Sequence, residues 1–106
     1  MIQTIDSSHV TEEGVPAGGM TLATGLSIEW QNGPLVVDGE RVDPNGCFVE
    51  TVILAAKDRL EYYETTEFAC QENKTAIADL ADALRVLQSR TARREAAGVE
   101  GTHEGR

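Results

Sequence analysis

The feature that most constrains this chain is a long periodic segment in its C-terminal half. Side chains of this segment recur at alternating spacings of four and three residues, which is the pattern of one helix packing along another. This seam consists of Asn73, Ile77, Leu80, Leu84, Leu87 and Thr91. A second amphipathic stretch precedes it, and the short connection at residues 64–67 forces two such helices to run antiparallel. We therefore predict a helical hairpin over residues 45–97. The polar seam residues Asn73 and Thr91 indicate that this hairpin does more than support itself.

A small antiparallel sheet is predicted before the helices, over residues 20–44. Apolar and polar residues alternate with the period of a half-buried strand, the apolar ones being Leu26, Ile28 and Trp30. Asn32-Gly33 follows at once, and this dipeptide favours a hairpin turn into a returning strand. Asp38-Gly39 predicts a second turn. The Trp30 indole N–H requires a hydrogen-bond partner if the ring is buried.

The remaining segments are the two ends of the chain and the connection between the sheet and the first helix. Residues 1–19 are weakly periodic, finish in Gly-Gly, and are interpreted as an arm. Asn45 is the predicted N-cap of the first helix, with Asp43 as the alternative. Residues 98–106 form a glycine-rich tail that either frays or closes over a ligand. At 106 residues the chain is predicted to be one α+β domain.

Composition limits the function classes. A net charge of −9 argues against general binding to nucleic-acid polymers, which depends on basic surface. Aromatic residues make up only 5% of the chain, so we expect its core to be completed by a homo-oligomer. The segment 85–94 is nevertheless basic and contains no acid. Such a strip either binds a small anion locally or complements the helix dipole, and charge alone leaves both open.

Other classes are disfavoured by what the sequence lacks. No run approaches the roughly 20 apolar residues of a membrane span, so we expect a soluble cytoplasmic protein without a membrane partner. His9 stands apart from any cluster of ligating residues, which disfavours a metal site, and no cofactor is expected. The serines and glycines form neither a nucleophile elbow nor a phosphate loop. We therefore predict a protein that is not an enzyme.

A non-catalytic set of residues suits a small nucleotide. Aromatic rings stack on purines, amide side chains pair with base edges, and an arginine fork holds a phosphate. Such residues are Tyr62, Tyr63, Phe68, Gln71, Asn73, Arg90 and Arg94. Asn73 and Arg90 are roughly 25 Å apart at ~1.5 Å per helical residue, so they can share a ligand only between protomers. The alternative is structural: Tyr63 in the core, Asn73 setting helix register and Arg90 complementing the dipole.

Several ordered runs resemble a known family. They are Asn45-Gly46-Cys47-Phe48-Val49-Glu50, Arg59-Leu60-Glu61-Tyr62-Tyr63, Phe68-Ala69-Cys70-Gln71-Glu72-Asn73, Arg90-Thr91 and Gly98-Val99-Glu100-Gly101-Thr102-His103. Across residues 25–103 the chain is similar to the phage proteins that carry the anti-CBASS and Thoeris anti-defence hairpin domain. The resemblance implies a non-enzymatic sponge that sequesters cyclic ADP-ribose isomers, and in some members cyclic oligonucleotides. It also implies dimers or hexamers with pockets shared between protomers.

The resemblance further implies roles for single residues. Tyr63 would stack on adenine, and Asn73 and Arg90 would hold the polar part of the ligand. Residues 98–103, including Thr102 and His103, would border the pocket. Gln71 departs from the family, which often has Arg there, and this affects which ligand is bound. The predicted function is a sponge for a cyclic nucleotide signal in the infected bacterial cell; the alternative is an oligomeric helical-hairpin interaction protein without a small-molecule ligand.

Overall fold

A computed structural model of the chain describes residues 3–10 and 16–97. Its elements, in chain order, are β1 (Asp6–Val10), β2 (Pro16–Ala23), β3 (Leu26–Glu29), β4 (Val36–Val37), β5 (Glu40–Arg41), α1 (Val49–Tyr63) and α2 (Gln71–Ala97). The predicted α+β class, a small antiparallel sheet followed along the chain by a helical hairpin, is confirmed. A strand unit contains the chain up to Phe48, and a helical unit spans residues 49–93.

The main sheet has three antiparallel strands in the order β1-β2-β3. Thr21 of β2 is paired with Ser7 on one side and with Ile28 on the other. Thr21 and Ile28 are buried, with 7% and 9% of their surface exposed. The Thr21 hydroxyl accepts a hydrogen bond of 2.8 Å from the Trp30 indole and lies 2.9 Å from the Ser7 hydroxyl. This bond supplies the partner that the indole requires.

The interpretation of residues 1–19 as an arm is wrong, since β1 and the start of β2 lie within them. Gly19 has a φ of +96°, and a Cβ atom there would lie 1.9 Å from the Ser8 carbonyl oxygen. The pairing register of β1 shifts between Ser8 and Val10, which marks a bulge. A glycine inside a strand often allows such a close backbone approach. Gly19 of the Gly-Gly pair therefore allows β1 to approach β2 closely.

Only one of the two predicted turns joins paired strands. The Asp38-Gly39 turn is confirmed: it connects β4 to β5, and its φ values of 52° and 80° suit a type I′ turn. The predicted Asn32-Gly33 hairpin is wrong, because β3 pairs backward with β2 through residues 24–25. Gly33 does have the positive φ expected of it, at 85°.

Asn45 is not the N-cap of α1, which begins four positions later at Val49. Its side chain instead clamps Asn32: the Asn45 Oδ1 accepts from the Asn32 N–H at 2.8 Å, and the Asn45 Nδ2 donates to the Asn32 carbonyl at 2.7 Å. The backbone next to Asn45 forms an isolated parallel bridge between Cys47 and Trp30. The prediction failed because an Asn side chain can satisfy loop backbone as well as a helix end.

The helical unit has the predicted connection. α1 ends at Tyr63 and α2 begins at Gln71, so the hinge predicted at residues 64–67 lies between them. Its threonines do not cap α2: the hydroxyls of Thr65 and Thr66 donate to carbonyl oxygens at the end of α1, at 2.7 and 2.6 Å. The cap is Cys70, whose Sγ accepts from the Asn73 N–H at 3.4 Å.

The seam predicted on α2, from Asn73 to Thr91, is half-buried at all of its six positions. On α1 the half-buried residues at the same spacing are Glu50, Ile53, Lys57 and Leu60, and Glu64 of the hinge continues the row. The charged residues Glu50 and Lys57 are thus half-buried, whereas the apolar Ala56 is exposed. No residue of α1, and none of α2 up to Arg93, is fully buried. In the described part of the chain, no helix is both long and apolar enough for a membrane span.

Candidate functional site

Aromatic residues and one cation gather at the hinge end of the helical unit. We call Arg59, Tyr62, Tyr63 and Phe68 the hinge-end cluster. The ring centroids of Tyr63 and Phe68 are 6.3 Å apart in an edge-to-face arrangement, and those of Tyr62 and Tyr63 are 6.0 Å apart. Tyr62 and Phe68 are 54% and 64% exposed, respectively. The cluster therefore offers ring surface to solvent, as a stacking platform must.

Arg59 binds this platform through cation–π contacts. Its guanidinium carbon lies 5.1 Å from the Tyr62 ring centroid and 5.0 Å from that of Tyr63, within the range of attraction between a cation and a ring face. Hydrogen bonding with the Tyr63 side chain and the nearby phenol charges raise the pKa of Arg59 above its ordinary value. Among the described residues, no carboxylate forms an ion pair with Arg59. A positive charge is thus available beside the rings.

Asn73 joins the hinge-end cluster through the backbone. Its Nδ2 donates to the Phe68 carbonyl oxygen at 3.0 Å, which leaves the amide oxygen without a donor among the described residues. This bond also has a structural role, because it ties the first turn of α2 to the hinge. Gln71 is exposed, and its Nε2 donates to the Thr75 hydroxyl at 3.3 Å.

A second group lies at the other end of the hairpin. We call Glu50, Arg90 and Thr91 the open-end cluster. The Glu50 Oε1 is 3.6 Å from the Arg90 Nη2, and the Thr91 hydroxyl donates to the Glu50 Oε2 at 3.5 Å. The Arg90 Nε is buried and has no hydrogen-bond partner in the described part of the chain. The guanidinium is therefore paired in charge but incompletely satisfied in hydrogen bonds.

Two other ion pairs of this unit have shorter distances between nitrogen and oxygen. The Lys57 Nζ lies 2.8 Å from a Glu61 carboxylate oxygen. Arg85 donates through two nitrogens to one oxygen of Asp82, at 3.1 and 2.7 Å. Exposed pairs of this kind contribute about 0–1 kcal/mol to stability. The Glu50–Arg90 contact is longer than both, and it joins the two helices, whereas each of these pairs lies within one helix.

Within one chain, the predicted ligand residues fall into two separate groups. Tyr63, Gln71 and Asn73 lie at the hinge end, and Arg90 lies roughly 25 Å further along α2 at about 1.5 Å per residue. Arg94 belongs to α2, but its side chain is outside the described part. Thr102 and His103 also lie outside the described residues. The pocket that the sequence predicts is thus not assembled by a single protomer.

Three residues of these clusters were not predicted as site residues: Arg59, Glu50 and Thr91, the last of which was identified only as a polar member of the seam. Arg59 precedes Tyr62 by three positions and Tyr63 by four, the spacing at which helical side chains meet, so helical periodicity could have identified it. Glu50 begins the half-buried row of α1, whose alternating spacing was the available signal. Among the described residues, no group of three or more His, Cys, Asp or Glu side chains is placed to hold a metal ion.

Comparison with known proteins identifies a protein that is similar in sequence to this chain. No family model matches the chain. It is 44% identical over 78 residues to a protein named Thoeris anti-defense 1 from Bacillus phage SBSphiJ7. The chain is related to the Thoeris anti-defence family. This finding confirms the resemblance drawn from the ordered runs. The aligned residues are 74% of this chain and 52% of the relative, so the chain spans about half the length of the curated relative that it matches.

Proposed function

We propose that this protein is a phage-type anti-defence protein that sequesters a cyclic nucleotide signal without cleaving it. The observation that carries the proposal is the 44% identity to a protein named for Thoeris anti-defence. The proposed ligand is a cyclic ADP-ribose isomer, with cyclic oligonucleotides as a second class. Its proposed place of action is the cytoplasm of the infected bacterial cell, and no nucleic-acid polymer or membrane takes part.

The chemistry of the two clusters supports this ligand class. A cyclic ADP-ribose isomer carries an adenine ring and a diphosphate. Tyr63, backed by Arg59, provides a ring face for the base, and Asn73 has a free amide oxygen for an exocyclic amine or a ribose hydroxyl. Arg90 retains an unpartnered N–H for a phosphate oxygen. In the proposed site, Gln71, Arg94, Thr102 and His103 complete the pocket wall.

The proposed pocket lies between protomers, because one chain separates its two halves. Two hairpins packed antiparallel place the hinge end of one copy beside the open end of the other. Leu54 of α1 and Val86 of α2 are 54% and 53% exposed, and burying such side chains stabilises helix association. We therefore propose a homo-oligomer, a dimer or a hexamer, as the binding species.

Calorimetric titration tests the proposal directly. The purified protein is titrated with cyclic ADP-ribose isomers and, separately, with cyclic dinucleotides. We expect micromolar or tighter binding of at least one isomer, and a higher melting temperature in its presence because a ligand specific to the folded state stabilises it. Heating the complex should then release chemically intact ligand. Absence of binding by every probe contradicts the sponge, and altered ligand indicates an enzyme instead.

The exposed apolar side chains also favour a second candidate, an oligomeric helical-hairpin interaction protein without a small-molecule ligand. Leu54 and Val86 would serve that role equally well. The same experiment separates the two functions. An interaction protein changes its melting temperature with its own concentration and is unaffected by cyclic nucleotides, whereas a sponge responds to both.

A further inference from the structure

The open-end cluster contains a carboxylate where an anionic ligand would have to bind. Glu50 belongs to the first turn of α1 and Arg90 to the C-terminal part of α2, so their contact joins two helices. The side chains are only 24% and 36% exposed. Water screens such a charge pair less than it screens the exposed Arg85–Asp82 pair. The protein thus supplies Arg90 with a counter-ion of its own.

The geometry of this contact is incomplete. At 3.6 Å, the distance between the Glu50 Oε1 and the Arg90 Nη2 is too long for a good hydrogen bond, and the Arg90 Nε remains buried without a partner among the described residues. Nε and Nη2 are neighbouring donors on one edge of the guanidinium. An oxyanion that approached this edge could accept from both nitrogens, as carboxylates and phosphates do in bidentate pairs. Glu50 provides charge compensation but leaves those donors unsatisfied.

We propose that Glu50 is an intramolecular counter-ion that competes with anionic ligands for Arg90. In the free protein it neutralises the guanidinium, with its second oxygen held by the Thr91 hydroxyl at 3.5 Å. A phosphate oxygen that binds the Nε–Nη2 edge displaces Glu50 toward solvent. Glu50 therefore sets the charge that a ligand needs in order to bind Arg90: a strongly charged diphosphate displaces Glu50, whereas a monoanion competes poorly.

The inference rests on the proposed function only for the identity of the natural ligand. Inorganic pyrophosphate tests the Arg90 edge by itself, because it carries the oxygens of a diphosphate and no base or ribose. The test substitution is Glu50→Gln, which keeps the size and the hydrogen-bonding atoms while removing the charge. Its matched control is Asp82→Asn, which removes the carboxylate of the exposed Arg85 pair on the same helical unit.

Affinities for pyrophosphate and for cyclic ADP-ribose isomers are measured by calorimetry on the full chain. We expect Glu50→Gln to raise the affinity for pyrophosphate by about three- to tenfold, the range for loss of one competing, partly screened charge. Asp82→Asn should stay within about twofold, since it changes the net charge equally but leaves Arg90 untouched. An affinity that is unchanged or lower in folded Glu50→Gln, or no pyrophosphate binding at millimolar concentration, overturns the inference.

A second measurement needs no substitution at Glu50 and therefore remains decisive if that variant does not fold. The N–H resonance of the Arg90 Nε is identified by its disappearance in Arg90→Lys. In the unsubstituted protein it should shift as pyrophosphate is added, because the nitrogen acquires an acceptor. Calorimetric binding without this shift overturns the inference.

The two proposals fail separately. If Glu50→Gln raises the affinity for pyrophosphate while no cyclic nucleotide binds, the counter-ion role stands and the sponge function is contradicted. If a cyclic ADP-ribose isomer binds with an affinity that is equal in the unsubstituted protein and in Glu50→Gln, the sponge function stands and the counter-ion role is contradicted.

Discussion

Two glycines of the strand unit allow the contribution of one close backbone approach to be measured. Gly19 and Gly25 have φ values of +96° and +78°, in the region where an L side chain is strained. A Cβ atom at Gly19 would lie 1.9 Å from the Ser8 carbonyl oxygen, whereas one at Gly25 would meet nothing within 4 Å. Gly19→Ala therefore combines backbone strain with a steric overlap, and Gly25→Ala isolates the strain.

The expected costs follow from these contacts. Strain from a positive φ costs about 1–2 kcal/mol and applies to both variants, as does the small gain from a stiffer unfolded chain. In Gly19→Ala the overlap must also be relieved by moving β1 away from β2. Losing about two backbone hydrogen bonds near the bulge adds roughly 1–3 kcal/mol. We expect Gly25→Ala to lower the free energy of unfolding by about 1 kcal/mol and Gly19→Ala by about 2–4 kcal/mol.

The assay is urea unfolding followed by fluorescence of Trp30, the single tryptophan of the chain and a residue of the strand unit. Protein concentration is held constant, since association shifts the apparent stability. Circular dichroism of the same samples tests whether unfolding is two-state. Equal losses in the two variants, within about 0.5 kcal/mol, would contradict the close approach of β1 to Gly19.

Three further substitutions test other parts of the structure. Arg90→Ala should weaken binding of a cyclic ADP-ribose isomer by about 10- to 100-fold in calorimetry, the value of a charged hydrogen bond, while Arg85→Ala should have little effect; equal losses would contradict the site assignment. Thr21→Val should lower the free energy of unfolding by about 1–3 kcal/mol, because the Trp30 indole loses its acceptor, and an unchanged urea midpoint would disprove that bond. Cys70→Ser should raise stability by about 0.5–1 kcal/mol in thermal melts, since a hydroxyl is the better N-cap acceptor, and a lower melting temperature would contradict the capping geometry.

The helical hairpin was predictable because its signals are local. A seam with alternating spacing needs only the fixed rise and rotation of a helix, so Asn73 through Thr91 could be identified from spacing alone. The hinge likewise followed from where that periodicity stops. The three aromatic residues of the hinge-end cluster, and Asn73 beside it, were recognisable from their side-chain chemistry, whereas Arg59 was not predicted. Their separation from Arg90 followed from the length of α2.

The strand unit was less predictable because its partners are distant in sequence. Asn32-Gly33 has the composition of a hairpin turn, but Asn45 supplies its hydrogen bonds from thirteen residues away. Gly19 ends a segment whose sequence predicts an arm, but in the structure the Ser8 backbone lies directly against it. No local pattern distinguishes a glycine that is free from one that a neighbouring strand approaches.

The α+β class, the antiparallel hairpin and the relation to an anti-defence family follow from the amino-acid sequence. These depend on periodicity and on ordered runs of residues, which are properties of the chain in one dimension. The pairing of β1 with β2 and the position of Glu50 against Arg90 follow only from the three-dimensional structure. Both contacts join segments that are far apart in the chain, where local patterns carry no information. The Cys70 cap is local, with Asn73 three residues further on, but helix periodicity does not show which of several polar residues accepts the bond.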